Sequence, residues 1–383
     1  MTEIKPKLSI INLGMGSAGA EKVISLLLKK LKDDYDVTLF LLFKERHYDI
    51  PPEIKVIGLT KGSSESSIFI KLLQSFLILW KYNSLLRKRK IEYAISFLPY
   101  PNFINGISSL FNPSIRFFVS ERGYPSNNTS KKISLYIAKV FYPLLYNRCY
   151  KLFSNSVYIN KDLKENFGIR IPTEVIYNPI ELPEKTKKSE TLASNIDMMK
   201  VITVGSLIDR KNQGSIIKAL GISNYTYVAS IIGEGPLQKN IEMQVSDLEL
   251  NRNVRLLGGG IQNVNDFLVE NDCFVLSSKT EGFPNALLEA MAAGLPCIST
   301  NCLSGPQELI NENLEVKIDK GSFFMGKYGI LVEVNDSLGL SKALDYLTEN
   351  PSERERLSRL SLKRAKDYEL NGIYKVFNEF IKS

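Results

Sequence analysis

Residues 277–296 read Ser277-Ser278-Lys279-Thr280-Glu281-Gly282-Phe283-Pro284-Asn285-Ala286-Leu287-Leu288-Glu289-Ala290-Met291-Ala292-Ala293-Gly294-Leu295-Pro296. The apolar run over 273–277 reads as a buried strand. A polar loop containing Gly282 follows, and Pro284 pre-sets the first turn of a helix over 284–293. Gly294 supplies its C-cap. The free N–H groups of 282–286 then point into the space beyond the strand's C-terminal end, where open α/β sheets bind ligands and a helix start favours anions. Glu281 precedes the helix and Glu289 lies about one turn inside it. A capped amphipathic helix explains Leu287, Leu288 and Met291, but not two acids flanking a phosphate-type nest.

Outward from this stretch the same rhythm repeats. Strands at 201–206, 227–232, 254–257 and 297–300 alternate with helices at 213–220, 237–245 and 264–270. Toward the N-terminus, strands at 7–13, 37–43, 93–98, 115–120 and 152–156 alternate with helices at 20–31, 68–89 and 133–145. Two helices, over 352–368 and 372–381, close the chain. This pattern predicts two successive Rossmann-like α/β domains with parallel sheets. Residues 1–180 form the first, a polar stretch at 181–198 the linker, and 199–366 the second; 367–383 is a last helix that can pack back on the first domain.

Charge is uneven. Residues 1–180 hold 26 Lys/Arg against 14 Asp/Glu, and the remainder 23 against 27. A basic first half suits an anionic partner, such as phosphorylated substrate or lipid headgroup, as well as ordinary solvated surface. The apolar stretch 68–80, followed by Arg87-Lys88-Arg89-Lys90, offers either a membrane-facing surface or a buried crossover helix with a basic end. It is too short to span a bilayer. The N-terminal apolar run, broken by Ser9, Asn12, Gly14 and Gly16, reads as strand and glycine loop and not as a secretory leader. Cys149, Cys273, Cys297 and Cys302 show no metal spacing and read as reduced packing residues of a cytosolic protein. Asp34-Tyr35-Asp36 has D-x-D spacing but sits in a turn before a strand, so no metal site is expected.

Gly14-Met15-Gly16-Ser17-Ala18-Gly19 matches G-x-G-x-x-G after a strand, with Glu45 near the end of the next strand. That invites a dehydrogenase reading. Against it stand a second full α/β domain with its own phosphate-type loop and a single histidine, His47, in a polar loop. A glycine loop that lets backbone approach a phosphate or sugar remains.

The 277–296 stretch resembles the signature of the retaining glycosyltransferase family 4, which has the GT-B fold of two Rossmann-like domains facing across a cleft. The resemblance implies that Glu281 reaches the transferred sugar and Glu289 the donor ribose, with Gly282, Phe283, Pro284, Asn285 and Ala286 around the diphosphate. Other stretches agree in order. Residues 204–212, with Gly205, Ser206, Arg210 and Lys211, resemble the family's diphosphate-gripping loop. Residues 232–237, with Gly233, resemble its next turn, and 256–258, with Leu257, its base-holding segment. Residues 304–308 and 328–332 resemble later family segments, and 16–21 its glycine loop, with Gly16 toward the donor and Ser17 toward the acceptor. The family often has Arg where this chain has Ser206, and Arg210 can stand in. Glu121 and Arg122 match the subset with Glu-Arg after a first-domain strand; a surface ion pair is the plainer reading.

The resemblance implies transfer of a hexose or N-acetylhexosamine from a nucleotide-diphosphate sugar, with UDP as the family's common carrier. The acceptor is a saccharide, lipid-linked in many relatives that build cell-surface polysaccharide. Lys211, Arg210 and a helix N-terminus neutralise the diphosphate, so neither metal nor other cofactor is expected, and nucleic acid is not an expected partner. The enzyme would work in the cytoplasm or on the cytoplasmic face of a membrane. Two rivals are another nucleotide-sugar GT-B enzyme, such as an epimerase, and a non-catalytic nucleotide-sugar binder.

Overall fold

A computed structural model describes residues 5–43, 45–60, 68–127, 132–194 and 198–383, with the side chains of 68–74, 132 and 133 outside that description. The chain divides into two compact units, Met1–Pro179 with Leu370–Ser383, and Ile180–Glu369.

The first unit is a seven-stranded sheet of β1 Lys7–Asn12, β2 Asp36–Leu41, β3 Lys55–Gly58, β4 Tyr93–Phe97, β5 Arg116–Glu121, β6 Lys151–Ser154 and β7 Thr173–Val175. Its order is β3-β2-β1-β4-β5-β6-β7, paired parallel throughout. The connections are α1 Gly19–Asp34, α2 Ile68–Arg89, α3 Pro99–Ser108, α4 Lys132–Tyr146 and α5 Val157–Phe167. Helices cover both faces, so the strands are apolar on both sides. One core holds Phe40, Tyr82, Phe117 and Tyr146; the other holds Leu8, Ile24, Phe118 and Phe153.

The second unit repeats the plan with β8 Lys200–Val204, β9 Val228–Ile232, β10 Val254–Leu256, β11 Cys273–Leu276, β12 Cys297–Thr300, β13 Phe323–Met325 and β14 Ile330–Val332. The order is β10-β9-β8-β11-β12-β14-β13, parallel except for the final β14–β13 pair. Its helices are α6 Gly214–Ile222, α7 Gln238–Asp247, α8 Val264–Glu270, α9 Asn285–Ala292, α10 Pro306–Asn311, α11 Ser337–Glu349 and α12 Pro351–Lys366. The last helix, α13 Leu370–Lys382, belongs to the first unit. There Ile373, Phe377, Phe380 and Ile381 enter the core, with Phe380 5.3 Å from both Phe118 and Phe153.

The polar stretch expected as the linker, 181–198, falls within the second unit. Residues 189–192 form a 3-10 turn held by the buried Arg354 of α12, which donates to Leu192 O at 3.2 Å and Ser194 O at 2.6 Å. Side-chain hydrogen bonds to backbone, not apolar periodicity, order this segment; residues 195–197 of the expected linker lie outside the described residues. The unit boundary sits at Pro179/Ile180. Sequence reading also passes over β3, β7, α3, α5, α10 and α11. Pro284 is the residue before α9 and not its first turn. Among the described residues, no helix is long and apolar enough to cross a membrane.

Candidate active site

In the second sheet the chain order reverses between β8 and β11, which are hydrogen-bonded neighbours. Loops leaving two such strands diverge, and the space at their C-terminal ends is where α/β sheets hold ligands. Both strongest sequence motifs arrive here, one after each strand.

After β8 the chain passes Gly205 and exposed Ser206 into a 3-10 turn, residues 209–211. This loop is zipped to the one after β9: Gly205 N donates to Ile232 O at 2.9 Å, and Leu207 N to Glu234 O at 2.9 Å. The approach is close enough that a Cβ on Gly233, whose φ is +150°, would lie 2.0 Å from Gly205 O. The next loop joins in, with Gly258 O accepting from Gly233 N at 2.8 Å. Leu257 gives its N–H to Ile231 O at 2.9 Å, which ties this loop to β9. The aliphatic stem of Lys211 lies beside Gly205, 3.6 Å from where a Cβ would stand.

After β11 comes Glu281, buried in an ionic cluster. Lys211 Nζ donates to Glu281 Oε1 at 2.6 Å, and Arg210 Nη1 to Oε2 at 3.1 Å and to Thr280 O at 2.9 Å. Ser278 Oγ donates to Oε1 at 2.6 Å. Burial pushes the Glu281 carboxyl up, but Lys211 and then Arg210 outweigh it and hold the group below the ordinary glutamate value. Thr300 fixes the Ser278 carbonyl at 2.6 Å, and Ser304 donates to the Glu281 carbonyl. Thr300 and Ser304 escape sequence reading as site residues, because their partners lie more than twenty residues away in the loop after β11; Ser278 stands only three residues before Glu281.

α9 starts at Asn285. It buries Leu287, Leu288, Ala290, Met291 and Ala292 and leaves Asn285, Ala286 and Glu289 partly accessible on one face. Gly282 is half-buried, while Phe283 and Pro284 are buried, Phe283 against Tyr368 with ring centres 5.5 Å apart. Gly294, at φ +85°, closes the helix: Leu295 N reaches Ala290 O and Gly294 N reaches Met291 O, each at 3.0 Å. That is a Schellman ending, with the glycine in the left-handed position that only glycine adopts cheaply.

The remaining candidates lie in the first unit. Met15 pairs with Arg46, and a Cβ on Gly16 would stand 3.6 Å from Glu45 Oε2. Glu21, buried in the first turn of α1, has its pKa raised by burial, with Glu45 adding to it. Two acidic side chains, Glu21 and Glu45, thus stand around the glycine loop that holds Gly16. Ser17 is exposed. Asp34 of the D-x-D spacing is tied to Tyr374 and Asn378 of α13.

Glu121, the last residue of β5, is buried, so the surface ion pair gives way to an interior carboxyl. Burial pushes it up to about 7, opposed by hydrogen bonds from Tyr146 Oη at 3.2 Å and from the Arg122 N–H at 3.3 Å. The Arg122 guanidinium lies over the rings of Phe97 and Phe153, at 5.1 and 5.7 Å, with Nε and Nη1 buried and without a hydrogen-bond partner among the described residues. Burial lowers its pKa to about 9.

Comparison with known proteins agrees with this architecture. Residues 184–364 match the family model described as glycosyl transferases group 1. The chain is 27% identical, over 95% of its length and 96% of the relative's, to the Campylobacter jejuni N-acetylgalactosamine-N,N'-diacetylbacillosaminyl-diphospho-undecaprenol 4-alpha-N-acetylgalactosaminyltransferase. It is 24% identical, over 96% of both chains, to that organism's GalNAc-alpha-(1->4)-GalNAc-alpha-(1->3)-diNAcBac-PP-undecaprenol alpha-1,4-N-acetyl-D-galactosaminyltransferase. Anabaena HepE, solved in complex with UDP and glucose, superposes with a TM-score of 0.78 at 16% identity, over 99% of this chain and 100% of that one. The chain therefore has the GT-B fold and is a glycosyltransferase, with residues 184–364, most of its second unit, matching the glycosyl transferases group 1 model.

Proposed function

We propose that the chain moves a hexose or N-acetylhexosamine from a UDP-sugar, with retention of anomeric configuration, onto a lipid-linked saccharide in the synthesis of a cell-surface glycan. The Lys211–Arg210–Glu281 cluster at the β8/β11 reversal carries the reading. A lysine ammonium has three N–H donors, and Glu281 takes one, which leaves two for phosphate oxygens. Glu281 orients both cations, and Oε2 retains a lone pair for one sugar hydroxyl. The N–H groups at the start of α9 add positive potential. Glu289, on the accessible face of α9, is the acceptor for ribose hydroxyls.

In the reaction the bond from the anomeric carbon to the diphosphate oxygen breaks with its electron pair leaving on UDP. The acceptor oxygen forms the new bond on the same face, and its proton passes to the departing phosphate oxygen. Lys211 and Arg210 stabilise the charge that develops on the leaving group, and that stabilisation is what lowers the barrier. No divalent ion is needed in this scheme. UDP as carrier is supported by the fold shared with UDP-bound HepE, and the lipid-linked acceptor by the activities for which the two Campylobacter relatives are named.

The test is UDP release from a panel of UDP-, GDP- and ADP-sugars, with and without EDTA, using lipid-linked saccharide as acceptor. Turnover of one UDP-sugar that resists EDTA and falls about 10²–10³-fold in Lys211→Met is expected, the size of losing one transition-state donor. Saturable dinucleotide binding without turnover of any sugar nucleotide would overturn the reading.

A further inference from the structure

Helices α2, α3 and α4 pack on one core of the first unit, and their outward side is apolar. α4 has two stripes at helical spacing. The inner one, Ala138, Tyr142, Leu145 and Tyr146, is buried. The outer one, Tyr136, Ile137, Val140, Phe141 and Leu144, is 42–71% exposed. A helix flanked by water normally carries polar side chains on that side. α2 adds Phe76, Leu77 and Trp80, each more than half exposed. The two stripes are joined through α3: Phe103 lies 6.2 Å from Phe141, and Tyr100 Oη lies 2.8 Å from Ser75 Oγ, next to Phe76. These exposed apolar side chains are therefore clustered on α2 and α4 and not scattered singly.

Charge selects what covers it. The three helices carry seven Lys or Arg and no Asp or Glu. Of these, Arg87 and Lys139 are exposed next to the apolar stripes, and a second copy of the same face would set them against one another with no acid on these helices to pair them. An anionic phospholipid surface complements both features, taking the aromatic and aliphatic side chains at the acyl boundary and the exposed Arg87 and Lys139 at the headgroups. The Arg87–Arg89 cluster is not the centre of this surface. Arg89 turns to Thr38 Oγ1 at 3.2 Å and, with Lys7, Lys55 and Lys88, lines a cavity of about 500 Å³ at the N-terminal end of the sheet. The side chains of 68–74, part of the apolar stretch singled out in the sequence, lie outside the described residues.

We infer that the α2–α3–α4 face docks the enzyme on an anionic bilayer. The inference rests in part on the lipid-linked acceptor proposed above, since a lipid-anchored saccharide is presented only at a membrane surface. The experiment is co-sedimentation of the full chain with vesicles of phosphatidylcholine alone and of phosphatidylcholine mixed with phosphatidylglycerol. The chain is expected to prefer the anionic vesicles, with binding weakened by salt. The variant Tyr136→Ser/Val140→Ser/Leu144→Ser, altered only at exposed positions, should bind at least about tenfold more weakly. Its melting temperature and its UDP release in detergent should stay unchanged.

Failure of the parent chain to sediment with either vesicle, or equal binding by the variant, overturns the inference. So does a dimer in light scattering that the triple variant dissociates, because a second copy would then own the face. Transfer in detergent without vesicle binding sinks docking alone. Vesicle binding without turnover of any donor sinks the transferase reading alone.

Discussion

Glu121 is a carboxyl buried at a strand end with aromatic rings and one flanking arginine for company. Its folded pKa, about 7, lies above the ordinary glutamate value of 4.5. The native state therefore holds an extra proton between those two pH values, and stability falls as pH rises through that window. The loss is at most roughly 3 kcal/mol, at about 1.4 kcal/mol for each tenfold change in proton affinity. Glu121→Gln, which keeps the shape and removes the ionisation, is expected to flatten this dependence. Melting curves taken from pH 5 to pH 8 check it. The parent should lose stability across the range and the variant should not; parallel curves would show that Glu121 ionises freely. Sequence reading marks Glu121 and Arg122 as a pair after a strand. It does not reveal that the carboxyl points inward, because Tyr146 and Asn102, which meet there, come from two other helices.

At the scale of elements, the strand–helix rhythm is legible because buried parallel strands leave apolar runs that helical spacing interrupts. Short edge strands such as β3 and β7 carry no such run. α11 does carry a signal that sequence reading passes over, with Asp336 capping Gly339 N and Leu340, Ala343, Leu344 and Leu347 on one face. The candidate site is legible only in halves. Lys211 and Glu281 stand 70 residues apart in sequence, and the pairing of β8 with β11 is what brings them to 2.6 Å. That positioning depends on the β8 and β9 loops touching through Gly233. A Cβ there meets backbone at 2.0 Å, and backbone cannot step aside as a side chain can. Gly233→Ala is expected to cost about 3 kcal/mol or more, in the range of overpacking plus backbone strain. Gly372→Ala is the contrast. It sits in α13, and its Cβ would meet nothing within 4 Å. It should stabilise by up to about 1 kcal/mol through helix propensity. Chemical denaturation of both variants separates the cases; a Gly233→Ala chain as stable as its parent would mean the loops are not held together.

At the scale of the whole molecule, the chain does not end where its second sheet ends. α13 returns to the first unit and supplies Ile373, Phe377, Phe380 and Ile381 to a core that also holds Phe118 and Phe153. Four buried apolar side chains are worth roughly 6–12 kcal/mol at 1.5–3 each. That matches the total stability of an ordinary domain, about 5–15 kcal/mol by the same order of reckoning. Polar ties reinforce the helix: Tyr35 Oη donates to Asn378 Oδ1 at 2.6 Å, and Tyr374 and Asn378 both reach Asp34. The second unit has a separate core, built around Leu207, Ile217 and Val275, to which α13 contributes nothing. A chain stopped after Glu369 is therefore expected to lose the first unit's cooperative melting and keep the second's. Calorimetry should show one transition abolished or shifted down steeply, while UDP binding, a property of the second unit on the proposed reading, survives. The reverse pattern, with two intact transitions, would make α13 a bystander. Loss of both transitions would mean that the two units fold only together.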